Sequence, residues 1–118
     1  MKNDVNYLLD ENLRSCIVKS RDIILEKLYK ANVYLFGSIA KGRYSKKSDI
    51  DLLVIIDENK STKELRLLRH EIEDAIEDIK LEVDVDIKLY SKVRYDELCK
   101  TPCFEQAILE DLVNIGGW

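Results

Sequence analysis

Apolar residues recur at helical spacing through residues 11–30, where Leu13, Ile17, Ile24 and Leu28 form a stripe with Cys16 beside it and charges between. This predicts an amphipathic helix that Asn32 is placed to end. The period then changes. Val33-Tyr34-Leu35-Phe36 is a short β-favouring run that stops at Gly37-Ser38. A loop or short helix follows, rich in Lys41, Arg43, Lys46 and Lys47. Residues 49–56 predict a second strand, and the unbroken run Leu52-Leu53-Val54-Ile55-Ile56 fits one buried on both faces at the centre of a sheet.

A second long helix is predicted over residues 61–80. Ser61 and Glu64 have capping-box spacing, and Leu65, Leu68, Ile72, Ile76 and Ile79 form its stripe. Residues 82–90 alternate, with Val83, Val85, Ile87 and Leu89 on one side and Asp84, Asp86, Lys88 and Tyr90 on the other. Such alternation predicts a sheet with one face on helices and the other open to solvent. A helix is expected over 92–100. Thr101-Pro102 reads as an N-cap and first-turn proline opening a last helix to Asp111, and residues 113–115 as a short edge strand. With no repeat or linker, residues 1–118 read as one domain.

Composition narrows the function classes. Four glycines and one proline exclude collagen-like, linker-rich and low-complexity architectures. The net charge of −4 disfavours a protein whose main work is coating nucleic acid. The opening Met1-Lys2-Asn3-Asp4-Val5-Asn6 lacks the apolar core of a secretory signal. The longest uncharged stretch, residues 31–40, is far short of a membrane span. The three cysteines, Cys16, Cys99 and Cys103, contain no Cys-x-x-Cys pair, which suggests neither a disulfide framework nor a zinc site. The expectation is a reduced, cytoplasmic protein.

The candidate chemistry lies between the first two strands. On a strand, residues two apart point to the same side, so Asp49 and Asp51 project together while Ile50 turns into the core. Two carboxylates on one face form the core of a hard-cation site, and Mg²⁺ in particular is held by a few carboxylates plus substrate phosphates. A third carboxylate, Asp84 or Asp86, is available on the open face of the third strand. Gly37-Ser38 at a strand-to-helix turn offers backbone N–H groups and a hydroxyl to a phosphate, with no Cβ in the way. Singly these features mean little. An Asp-x-Asp also opens many turns and solvated edges, and a lone Gly-Ser carries almost no information. Their joint spacing and strand order carry the argument. His70, the one histidine, is set aside as a surface residue of the second helix, since no second histidine could join it as a metal ligand.

Gly37-Ser38-Ile39-Ala40-Lys41-Gly42, followed by Ser48-Asp49-Ile50-Asp51-Leu52-Leu53-Val54, resembles the signature of the DNA polymerase β-type nucleotidyltransferases, and in particular the small kind called minimal nucleotidyltransferases. The strands at Val33–Phe36 and Val85–Ile87 match the same pattern. The resemblance implies an α/β (α+β) fold, a mixed sheet with helices packed on one face. It also implies transfer of a nucleoside monophosphate, AMP from ATP, with pyrophosphate leaving. Asp49 and Asp51 would bind two Mg²⁺ ions, and Asp86 the ion nearer the acceptor hydroxyl. Gly37, Ser38, Lys41 and Lys47 would bind the nucleotide. The family's spacing between its third carboxylate and the next helix selects Asp86 over Asp84.

Small relatives of this kind pair with a small helical partner of HEPN type, a ribonuclease-like toxin, and act as antitoxins by adenylylating it. That is the expected biology here. Two rivals remain: a non-catalytic antitoxin that neutralises its partner by binding alone, and an aminoglycoside-type small-molecule adenylyltransferase, for which a homodimer could supply the acceptor wall. DNA polymerisation is disfavoured, because an acidic chain has little with which to grip a primer–template.

Overall fold

The centre of the molecule is β2 (Ile50–Ile56), whose aliphatic run Leu52 to Ile56 is buried throughout. The computed structural model describes residues 11–28, 30–40, 49–58, 60–81, 83–103, 108–109 and 112–118. β1 (Asn32–Phe36) pairs with β2 antiparallel, and β3 (Val85–Ser91) pairs with its other edge in parallel. β4 (Val113–Asn114) adds antiparallel to the outside of β1, giving a mixed sheet of order β3-β2-β1-β4. A parallel pair needs a crossover, and the helix α3 (Thr62–Asp78) supplies it between β2 and β3.

Strand parity sorts the core into two clusters. Val33, Leu35, Ile50, Leu52, Val54, Ile56, Ile87 and Leu89 face α3 and the first helix α1 (Glu11–Lys27), meeting Leu13, Ile17, Ile24, Ile72 and Ile76. The opposite parity carries a smaller cluster of Phe36, Leu53 and Ile55, covered by Tyr95 of α4 (Lys92–Leu98) and by Ile108. The long helices therefore pack on one face, as the resemblance implies. The opposite face is not wholly open as the alternation of 82–90 suggested, because α4 folds back over its apolar end. Ile72 is fully buried between α3 and the sheet. Ile72→Ala should cost about 2–5 kcal/mol in denaturant unfolding; a loss well below that range would show that this interface closes over the gap.

Element ends depart from the sequence reading where local hydrogen bonds decide. The first helix stops at Lys27, and a turn with Ala31 N–H donating to Leu28 O (2.9 Å) leads into a strand that Asn32 begins rather than a helix it ends. The Ser61 cap is as expected, its hydroxyl accepting from Glu64 N–H and the Glu64 carboxylate accepting from Ser61 N–H. β3 starts at Val85, later than expected, and α4 ends at Leu98 rather than residue 100. Thr101 to Cys103 form a bend instead of opening a helix. There the Cys103 thiol donates to Leu98 O (3.0 Å), satisfying a carbonyl at the end of α4. Residues 104–107, 110 and 111 of the expected last helix lie outside the described residues. Among the described residues no helix is long and apolar enough to cross a membrane.

Candidate active site

Register builds the site. In the parallel β2–β3 pair Asp51 stands opposite Asp86, and in the antiparallel β1–β2 pair it stands opposite Phe36. Side chains at paired positions share a face, so Asp51 and Asp86 emerge together on the face away from α1 and α3. Their strands are rigid, since Ile50 and Leu52 beside Asp51 and Ile87 beside Asp86 are all buried. Asp49 lies just before β2 and is exposed, so the strand begins one residue later than the sequence suggested. Asp84 also precedes its strand. Its carbonyl accepts from Ile50 N–H (2.9 Å), which makes its backbone the first rung between β3 and β2.

Gly37 follows Phe36 at the end of β1 and starts the short helix α2 (Gly37–Ala40). Its φ of +80° lies in the left-handed region that side chains disfavour. A Cβ there would overlap Asp51 Oδ2 and come within 3.1 Å of Asp51 Cγ. The glycine therefore leaves room for the Asp51 carboxylate, a role its sequence neighbours do not reveal. Ser38 lies next in α2. Lys41 and Lys47 lie outside the described residues, as do Arg43, Tyr44, Lys46 and Ser48.

The electrostatics follow from this crowding. Burial raises the pKa of the Asp51 carboxyl above its ordinary 3.8, and the negative charges of Asp86 and Asp49 raise it further. Lys88 opposes them. It stands opposite Leu53, two residues beyond Asp86 and on the same face, and the sequence reading gave it no role. Its signal was its parity with Asp86.

The three carboxylates are thus electrostatic neighbours. Among the described residues, however, no three His, Cys, Asp or Glu side chains converge closely enough to hold a metal as they stand. What fits a divalent cation is the donor chemistry. The set is all carboxylate oxygen, which suits Mg²⁺, and its mutual repulsion raises the Asp51 pKa, an effect that bound positive charge reverses.

This mixed sheet, with Gly-Ser just after its first strand and Asp-x-Asp at the start of the next, is the fold of the polymerase β-like nucleotidyltransferases. The family described as nucleotidyltransferase domain matches residues 17–111, a span that holds Gly37, Asp49, Asp51 and Asp86, and the chain belongs to it. The protein is accordingly a transferase of nucleotidyl groups. It is similar to a protein of Methanocaldococcus jannaschii named "putative protein adenylyltransferase", with 29% identity over 103 residues, covering 87% of this chain and 94% of that protein.

Proposed function

We propose that this nucleotidyltransferase moves AMP from ATP to a hydroxyl group on a partner protein, using Asp49, Asp51 and Asp86 and two Mg²⁺ ions. The observation that carries the site assignment is the pairing of Asp51 with Asp86 across β2 and β3, beneath a glycine that leaves Asp51 its space. The acceptor oxygen forms a bond to the α-phosphorus as the bond from that phosphorus to the bridging oxygen breaks, and pyrophosphate departs. The hydroxyl proton passes to the Asp86 carboxylate. Bound Mg²⁺ would supply charge neutralisation of the triphosphate and stabilise the attacking and leaving oxygens. Gly37 and Ser38 hold the β- and γ-phosphates through backbone N–H groups and the hydroxyl, with Lys41 and Lys47 screening their charge.

A protein acceptor is favoured by the name of the archaeal relative. With it comes the expected biology, an antitoxin that adenylylates a small helical HEPN-type toxin. Retention of all three carboxylates favours catalysis over neutralisation by binding alone. The test uses ATP labelled on the α- or the γ-phosphate. Label should pass to a protein acceptor only from the α-position and only with a divalent cation. Transfer from the γ-position would make the enzyme a kinase and sink the reading.

Asp84 and Asp86 should separate cleanly in the same assay. Asp86→Asn is expected to lose roughly 10²–10³-fold in turnover, the scale for removing one electrostatic stabiliser of a transition state. Asp84→Asn should lose less than about 10-fold, because its backbone rather than its carboxylate holds the strand pair. The reverse order would exchange their roles.

A further inference from the structure

At the far end of β3 a cleft of about 490 Å³ opens between α3 and α4, lined by Arg66 and Arg69 of α3 and Arg94 of α4 over a floor of Leu65, Leu89 and Leu98. Three guanidinium groups in one cleft repel one another, and the chain as a whole is acidic. Of the three, Arg69 alone has an ion pair among the described residues, with Glu73 of its own helix. Arg69 Nε is 3.4 Å from Glu73 Oε1, yet this buried nitrogen makes no hydrogen bond. Arg66 and Arg94 have no ion pair among the described residues. Arg66 and Arg69 are three apart on one helix, so they present neighbouring forks along one wall, and Arg94 faces them from the other. Planar guanidinium forks bind carboxylates in pairs of parallel hydrogen bonds. The leucine floor calls for aliphatic side chains between those carboxylates, which a simple inorganic anion lacks.

We propose that this cleft docks an acidic, leucine-containing segment of the acceptor protein and so presents that protein to the carboxylates. The proposal rests on reading the acceptor as a protein. Asp86 and Tyr90 lie on the same strand, four residues apart, a span of about 13 Å. A partner held at the cleft therefore extends along β3 to reach Asp51 and Asp86. Charge steers it there as well, since a cationic cleft attracts an acidic chain before contact.

The test is fluorescence anisotropy with the whole protein and a labelled Glu-Leu-Asp-Glu-Leu-Glu peptide. The peptide should bind, bind more weakly as salt rises, and lose at least about 10-fold in affinity to the double variant Arg66→Glu, Arg94→Glu. Both arginines are exposed, so this variant should keep the parent's circular dichroism and melting. Should it not, Arg66→Gln alone, expected to weaken binding a few-fold, serves in its place. Asp51→Asn should bind the peptide as the parent does, which separates docking from chemistry. No binding by the parent, or equal binding by parent and arginine variants, overturns the proposal. So does binding of inorganic triphosphate, in EDTA and dependent on these arginines, when the peptide does not bind, because the cleft is then a small-anion site. Arginine-dependent peptide binding without transfer to any protein overturns the catalytic reading alone.

Discussion

Asp51→Asn should reduce transfer by roughly 10²–10³-fold and still unfold at a temperature no lower than the parent's. Most substitutions of a half-buried residue destabilise, so the second half of this expectation is the discriminating one. Asp51 is buried enough to be penalised for its charge and stands among two further negative charges, with only Lys88 opposing. An amide of the same shape removes that repulsion. The sign with pH follows. The folded-state pKa is raised above the unfolded value near 3.8, so the folded protein binds more protons just above that pH. In metal-free buffer the parent should therefore lose stability, relative to the variant, as pH rises from about 3.8 through the raised value, and hold a constant deficit beyond it. Denaturant melts of both proteins across that range decide it. A variant less stable than the parent at neutral pH would make Asp51 a structural residue instead.

Gly37→Val is expected to do the most damage of any change near the site, removing transfer and costing about 1–3 kcal/mol of stability. Two causes act together: a side chain at φ +80°, and a Cβ overlapping the Asp51 carboxylate. A double-mutant cycle separates them. Gly37→Ala should be destabilising in the parent and less so on an Asp51→Ala background, where the overlap is relieved and the backbone strain stays. Additive costs in that cycle would show that the two residues do not meet.

Asp51 and Gly37 also mark how far the sequence could be read. Asp51 was legible because period two places it opposite Ile50 and a run of aliphatics fixes the strand. Its opposition to Asp86 was legible only through the resemblance, since parity cannot distinguish Asp84 from Asp86 and register is a property of the paired strands. Gly37 was singled out for a phosphate's approach, whereas its close contact is with Asp51, a neighbour across the sheet. The same limit applies to α4. Its helical span was readable, but not that Tyr95 would turn back over Leu53 and Ile55, because which face of a sheet a helix covers depends on chain direction at its start. The arginine cleft escaped for a related reason. Arg66 and Arg69 look like solvated helix positions until Arg94, from a distant part of the chain, faces them.

The sheet order also dictates the sequence of opening. β1 and β2 are joined by 13 residues (37–49) and paired along five positions, whereas β4 follows β1 only after 76 residues (37–112) and contributes two residues, pairing Tyr34 with Asn114 and Leu35 with Val113. Closing so long a loop for two residue pairs is entropically poor, so β4 is the first strand to detach in local fluctuations and the last to join during folding. Amide hydrogens of Ile115, whose N–H donates to Val33 O across this seam, should exchange with solvent well before those buried between β1 and β2. The strand that carries Asp51, β2, thus lies in the slow-exchanging centre of the sheet, and the loosest seam lies on the far side of β1 from it.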